Sequence, residues 1–258
     1  MENAAGLLIE HDEGVAVLTI DREAQLNALD DRTMRALADA LAALAVDERV
    51  AVVLLTSRGD RAFSVGVDLA AFGERMPTGP DSDWYALVPF LRETYPKPVV
   101  CAVSGYAVGG GFELLLAGDL VVAAEHSQFG LPEVTRGLLA GAGATDLPRR
   151  IPLNVALELG LTGDRIGARR AYELGLVNAV HPVETVRAEA LALAKRIAAN
   201  GPIPVRLTKE LMHATLEVDR ATMRERADAA GAFVNASADA VEGPRAFLEK
   251  RAPRWTGC

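Results

Sequence analysis

Apolar positions along the chain follow two alternating rhythms. Gly14–Ile20 (GVAVLTI) is short and β-branched and reads as a strand. After it, Met34, Leu37, Leu41 and Leu44 recur at spacings of three and four, giving a helix with one apolar face and Asp30 or Asp31 as its cap. Val50–Thr56 (VAVVLLT) is apolar almost throughout, as a strand buried on both faces is, and Pro98–Val103 (PVVCAV) and Leu120–Ala124 (LVVAA) share that character. Gly109–Gly118 (GGGFELLLAG) reads as a glycine turn opening a short helix. Strands alternating with helices predict an α/β fold with parallel sheet. No internal repeat is visible.

Gly73–Lys97 breaks this rhythm with Pro77, Pro80, Pro89 and Pro96 and the aromatics Trp84, Tyr85, Phe90 and Tyr95. It reads as a variable, ligand-facing loop with a helical piece. From Val183 the pattern is helical almost to the end, interrupted at Gly201–Pro204 and at Gly243–Pro244. Gly201-Pro202 therefore separates a core, residues 1–200, from a C-terminal helical region, residues 201–258.

Composition narrows the function classes. Half of the 258 residues are apolar, enough for one large domain or a domain with an appendage. A net charge of −8 without a basic block argues against nucleic acid, whose phosphates need clustered Lys and Arg. No apolar run reaches the ~18 residues of a membrane span, and Met1–Glu10 lacks the basic-then-apolar order of a secretory signal. Cys101 and Cys258 have neither metal-ligand spacing nor a disulfide framework, and His11, His126, His181 and His213 are scattered. The expectation is a soluble cytoplasmic protein without a metal. Ser64 and Ser104 stand outside any G-x-S-x-G elbow, so a hydrolase nucleophile is unsupported.

Three segments carry candidate chemistry: Ala62–Leu69 (AFSVGVDL), Ser104–Glu113 (SGYAVGGGFE) and Phe129–Gly143 (FGLPEVTRGLLAGAG). Glycines between a buried strand and a helix allow close backbone approach, and free N–H groups at a helix start favour negative charge. Those are the properties of an oxyanion hole. The run matches neither the dinucleotide fingerprint nor a P-loop. Glu113 sits in the first turn of the expected helix, and Glu133 follows a proline in a glycine-rich loop. Singly, each is an ordinary glutamate.

Together these segments resemble the crotonase, or enoyl-CoA hydratase/isomerase, family. Asn27-Ala28-Leu29 matches its N-A-L element, AFSVGVDL its A-F-x-x-G-x-D-L, and SGYAVGGGFELLLAGD its G-x-A-x-G-G-G-x-E-L-x-x-x-x-D. FGLPEVTRGLLAGAG, LTGDRIGARRAYELGLV and the tail AFLEKRAPRWTG follow in the family's order, so the resemblance covers nearly the whole chain. It implies a spiral of repeated ββα units with a C-terminal helical oligomerisation region, and a homotrimer or a dimer of trimers. It implies an acyl-CoA substrate, with coenzyme A part of that substrate and no separate cofactor. The backbone N–H groups of Val65 and Gly110 are its implied oxyanion donors, and Glu113 and Glu133 its catalytic pair, holding one water. Val65, Gly66, Val67 and Asp68 are implied along the path of the CoA moiety. Arg22, Phe247 and Lys250 are implied as contacts of its nucleotide, the last two reaching in from a neighbouring subunit.

The implied reaction is reversible syn addition of water to a 2-enoyl-CoA. Water attacks C3, charge moves to the thioester oxygen, and each aimed donor there is worth about 3–4 kcal/mol. One carboxylate takes a proton from water and one carboxylic acid supplies C2. Sequence does not say which glutamate starts protonated. Ala140 and Ala144 depart from the family's usual proline and glycine after Glu133, and Val65 replaces a smaller residue. GGGFELLLAGD also resembles the carnitinyl-CoA dehydratase branch. Other family reactions, such as isomerisation or thioester hydrolysis, and a non-catalytic acyl-CoA-binding paralogue stay as alternatives.

Overall fold

A computed structural model describes residues 5–70 and 86–258. Residues 73–85 of the proline- and aromatic-rich loop, including Pro77, Pro80, Trp84 and Tyr85, lie outside the described residues. The chain opens with β1 (Leu7–Asp12), β2 (Val15–Ile20), α1 (Asp31–Val46), β3 (Val52–Ser57) and β4 (Ala62–Ser64). It continues through α2 (Val88–Arg92), β5 (Val99–Val103), β6 (Tyr106–Val108), α3 (Gly110–Ala117), β7 (Leu120–Ala124) and β8 (Gln128–Gly130). Then come α4 (Gly141–Arg150), α5 (Leu153–Thr162), β9 (Arg165–Gly167), α6 (Ala168–Glu173) and β10 (Ala179–His181). Four helices finish it: α7 (Val183–Ala198), α8 (Pro202–Ala214), α9 (Arg220–Asn235) and α10 (Ala238–Leu248).

Two sheets share these strands. The larger runs β1-β2-β3-β5-β7-β10 and the smaller β4-β6-β8-β9. Among the described residues, only the β1–β2 and β8–β9 pairs are antiparallel. The successive pairs β3/β4, β5/β6 and β7/β8 each give one strand to each sheet. That is the ββα spiral, and it explains why no repeat is visible in sequence: the units share a backbone path, not a residue pattern.

Strand periodicity distributes the core. Val52 and Leu54 face α7, packing with Val186, Ala190 and Ala194. Val53 and Leu55 face the other way, into the cluster that holds Leu37, Leu41, Phe63, Phe112 and Phe129. The all-apolar strands are thus covered on both faces, as their composition requires. Asp30 is the cap of α1, its carboxylate accepting from the Thr33 N–H at 2.9 Å.

The helical tail differs from expectation at one point. Gly201 does precede α8, but Gly243-Pro244 lies inside α10. Gly243 packs closely against the tail there, where a Cβ would stand 3.2 Å from the Trp255 ring. The further break between α8 and α9 falls instead at Asp219, which caps the Ala221 and Thr222 amides.

Asp119, the last residue of the GGGFELLLAGD run, fastens the tail to the core. One oxygen accepts from the Val99 N–H and the Lys209 ammonium, each at 2.7 Å, and the other lies 3.0 Å from His213 Nε2. Burial raises the Asp119 pKa, but the His213 hydrogen bond and the Lys209 charge outweigh it and hold the carboxyl below its ordinary value. Burial also pulls Lys209 below its own ordinary value, so part of the attraction offsets desolvation. Asp119→Ala leaves that cation, whose side chain is 9% exposed, without a counter-charge, its ammonium still donating to the Lys97 carbonyl at 2.8 Å. The expected loss is about 3–5 kcal/mol, read from urea midpoints. The sign with pH follows: Asp119's contribution is full above the unfolded carboxylate pKa and disappears as pH falls through the depressed folded value. The gap between wild type and variant should therefore shrink in acid.

Candidate active site

The site forms where the ends of β4 and β6 meet the start of α3. Asn27, 1% exposed, organises one wall. Its Nδ2 donates to the carbonyls of Arg58 (2.9 Å) and Ala62 (2.7 Å), and its Oδ1 accepts from the Arg22 N–H at 3.0 Å. The N-A-L element is thereby pinned beside AFSVGVDL. The Leu29 N–H donates to the Gly66 carbonyl at 2.8 Å, and the Asp68 N–H to the Leu29 carbonyl at 2.9 Å. This is a parallel bridge between Leu29 and Val67, and it turns the Val67 N–H away from Leu29.

That register corrects one expectation. The Val65 N–H donates to the Leu26 carbonyl at 3.3 Å and is not free for a ligand. The Gly66 N–H is also engaged, with Ser64 Oγ at 3.1 Å. Among the described residues, the N–H groups of Val67 and Gly110 have no acceptor. They are neighbours: a Cβ placed on Gly110 would lie 3.7 Å from the Val67 nitrogen. Gly66 makes this approach possible, because a Cβ there would stand 2.6 Å from the Gly110 nitrogen.

Glu113 lies one turn along α3 from Gly110. Its Oε1 accepts from the Gly143 N–H at 2.8 Å, so the carboxylate caps the first turn of α4 from outside. Ala140 and Ala144 belong to this helix start, the Ala144 N–H donating to the Ala140 carbonyl. They therefore bear on how Glu113 is held rather than on the turn carrying Glu133. Glu133 sits in a 3₁₀ turn, Pro132–Arg136. Its Oε1 lies 3.3 Å from where a Cβ on Gly109 would be, while Oε2 is buried without a hydrogen-bond partner. Both carboxyls are pushed above their ordinary 4.5, first by burial. The Gly143 and Ala142 amides pull Glu113 back down, whereas the charge of Glu113 pushes Glu133 further up. Two glutamates twenty positions apart in sequence are brought within each other's field.

A model of the family described as enoyl-CoA hydratase/isomerase matches residues 10–258. The chain belongs to that family. It is 38% identical over 251 residues to a crotonyl-CoA hydratase of Syntrophomonas wolfei, covering 95% of each chain. It is 33% identical over 252 residues to a 2,3-dehydroadipyl-CoA hydratase of Escherichia coli, covering 97% of this chain and 98% of that one. An enoyl-CoA hydratase structure from Mycobacterium tuberculosis superposes with a TM-score of 0.91 at 42% identity, over 98% of this chain and all of the other. The crotonase fold and an acyl-CoA substrate class come with the family.

The remaining implied contacts are placed less simply. The Arg22 guanidinium is tied to Asp30 (3.0 Å), to Asp68 (3.2 Å) and to the Ala28 carbonyl. Its charge is met inside the protein, so it clamps N-A-L to the Val67 segment instead of offering a free cation to a nucleotide. Asp68 is the other jaw of that clamp. Phe247 is 82% exposed and Lys250 follows just beyond α10. No contact joins either of them to the glutamates of the same chain among the described residues. His126 and His213 are structural, bound to the Asp60 carbonyl and to Asp119. Among the described residues no helix is long and apolar enough to cross a membrane.

Proposed function

We propose that the protein is an enoyl-CoA hydratase that adds water reversibly to the 2,3 double bond of a 2-enoyl-CoA. The observation that carries this reading is the convergence of Glu113 and Glu133 beside the unpartnered amides of Val67 and Gly110. The thioester oxygen accepts from those two amides. As water attacks C3, the enolate charge that develops on this oxygen is stabilised by donors already aimed at it.

Glu113 is the base. The amide of Gly143 favours its ionised form, and an ionised carboxylate can take a proton from water. Glu133 is the acid. Its partnerless buried oxygen and the neighbouring Glu113 charge favour the neutral form, which protonates C2. The backbone of Val65–Asp68 guides the CoA moiety, and coenzyme A arrives as part of the substrate with no other cofactor. Phe247 and Lys250 serve a neighbouring copy in a cytoplasmic homotrimer or dimer of trimers. Exposure of Val241, Phe247 and Leu248 at 70–82% supports a covered role for this helix.

The test is the fall in enoyl-thioester absorbance with crotonyl-CoA and longer 2-enoyl-CoAs. Hydration by the purified protein is expected. Tight CoA-ester binding without turnover on any chain length would overturn the enzyme reading. The pH profile of kcat/KM gives a second prediction. The rate rises as the base ionises and falls as the acid ionises, and burial puts both groups above 4.5. A bell displaced upward from the ordinary carboxylate range is expected, its two apparent values belonging to the pair.

A further inference from the structure

Ser64 is a buried polar side chain that the hydration step leaves unused. It ends β4, is 0% exposed and stands immediately before the Val65–Asp68 segment. Both halves of the oxyanion hole touch it. Its hydroxyl oxygen accepts from the Gly66 N–H at 3.1 Å. Its backbone seats the start of α3, where a Cβ on Gly111 would stand 2.2 Å from the Ser64 carbonyl oxygen and 2.7 Å from the Ser64 Cβ. Gly111 follows directly on Gly110, whose N–H is the second donor.

The hydroxyl acts at the least restrained point of the turn. Among the described residues, three successive amides have three different fates. Val65 donates to the Leu26 carbonyl, Gly66 donates to Ser64, and Val67 stays free for the thioester oxygen. The peptide that carries the Val67 N–H is held at its other edge, because the Gly66 carbonyl accepts from the Leu29 N–H at 2.8 Å. The peptide before it, between Val65 and Gly66, has no such second hold: among the described residues its carbonyl accepts no hydrogen bond. Gly66 must lack a Cβ to approach Gly110, and a glycine resists backbone rotation least of all residues. The Ser64 hydroxyl supplies the missing restraint. Without it the Gly66 N–H is a buried donor with no acceptor, and rotation of that peptide relieves it. Such a rotation moves Gly66 against Gly110 and spoils the aim of the two donors.

We infer that Ser64 is a positioning residue for the oxyanion hole: it fixes the Val65–Gly66 peptide, and through it the spacing of the Val67 and Gly110 donors. It does not touch the substrate. Its effect falls on the transition state, where charge develops and misplaced donors lose most. The inference rests on the hydratase reading for the reaction it serves and adds the residue that aims the donors.

The test measures kcat and KM with crotonyl-CoA for wild type, Ser64→Ala, Ser64→Cys and Ser127→Ala. Ser127 is the control: it is also 0% exposed, and its hydroxyl donates to the Val103 carbonyl at 3.1 Å, outside the site. Ser64→Ala should lower kcat about ten- to a hundredfold, with KM held within a few-fold. The thiol of Ser64→Cys fills the space and is a weak acceptor, so part of that loss should be recovered. Ser127→Ala should lose comparable thermal stability and keep its kcat. A spectroscopic signature separates the hole from the reaction. Butyryl-CoA has no double bond to hydrate, and the infrared stretch of its isotope-labelled thioester carbonyl should fall on binding wild type and fall less on binding Ser64→Ala. Unchanged kcat in both Ser64 variants overturns the inference, as does a kcat loss in Ser127→Ala as large as that in Ser64→Ala. A loss confined to KM also overturns it, since that is ground-state binding. If Ser64→Ala does not fold, Ser64→Cys carries the same comparisons. A carbonyl shift that depends on Ser64 in a protein that hydrates no enoyl-CoA removes the hydratase reading and supports this inference. Hydration with a carbonyl shift indifferent to Ser64 removes the inference alone.

Discussion

Glu113→Gln and Glu133→Gln should each lower kcat by about 10²–10⁴-fold, the usual worth of a positioned acid or base. The substitutions are close to isosteric, and the fold should survive both. In Glu113→Gln the new amide's carbonyl oxygen can still accept from the Gly143 N–H, preserving the cap on α4. At Glu133, the oxygen that would become an amide nitrogen has no partner to lose. Thermal midpoints near wild type, beside the collapsed turnover, would separate lost chemistry from lost structure. The two variants should also differ in pH dependence. Glu113→Gln removes the base and, with it, the like charge that lifts Glu133, so the rising limb should vanish and Glu133 should titrate lower. Glu133→Gln removes the acid, and with it the falling limb. Turnover within a few-fold of wild type in both variants would sink the assigned mechanism.

Gly66→Ala should lower kcat by about 10²–10³-fold, the cost of an oxyanion donor. The new Cβ would stand 2.6 Å from the Gly110 nitrogen and 3.1 Å from the Val108 carbonyl oxygen. Both are backbone atoms, so relief requires the two strands of the oxyanion hole to separate. Gly66 also has φ +82, where an alanine is strained by about 1–2 kcal/mol. Gly175→Ala isolates that second effect. Gly175 has φ +80, nothing within 4 Å of its Cβ position, and no part in the site. It should lose stability by a similar amount while keeping its rate. Because donor geometry acts on the transition state, the Gly66 loss should fall on kcat more than on KM. Equal turnover in Gly66→Ala and Gly175→Ala would show that the Val67–Gly110 approach is not used.

Some of this architecture is legible in the sequence alone. Apolar strands such as Val99–Val103 are local facts, since burial on both faces demands continuous hydrophobicity. The cap at Asp30, the helix opened by Gly110 and the candidacy of Glu113 and Glu133 follow from short-range patterns and ordered motifs. Gly243-Pro244 misleads for the same reason. Helix-breaking residues are a local signal, and the Trp255 ring that packs against Gly243 arrives from elsewhere in the chain.

What the tertiary structure alone decided is a matter of which groups are already engaged. An amide donates whatever its side chain, so sequence cannot distinguish Val65 from Val67. The Leu26 carbonyl takes one N–H, and the bridge to Leu29 turns the other toward Gly110. Charge behaves likewise. Arg22 is one cation among many in sequence, but Asp30 and Asp68 neutralise it in the fold. The roles of the glutamates follow the same rule. Glu113 received an amide from a helix thirty residues away, and Glu133 received its neighbour's like charge. Sequence determined which groups this protein possesses; long-range pairing determined which of them remain free to act.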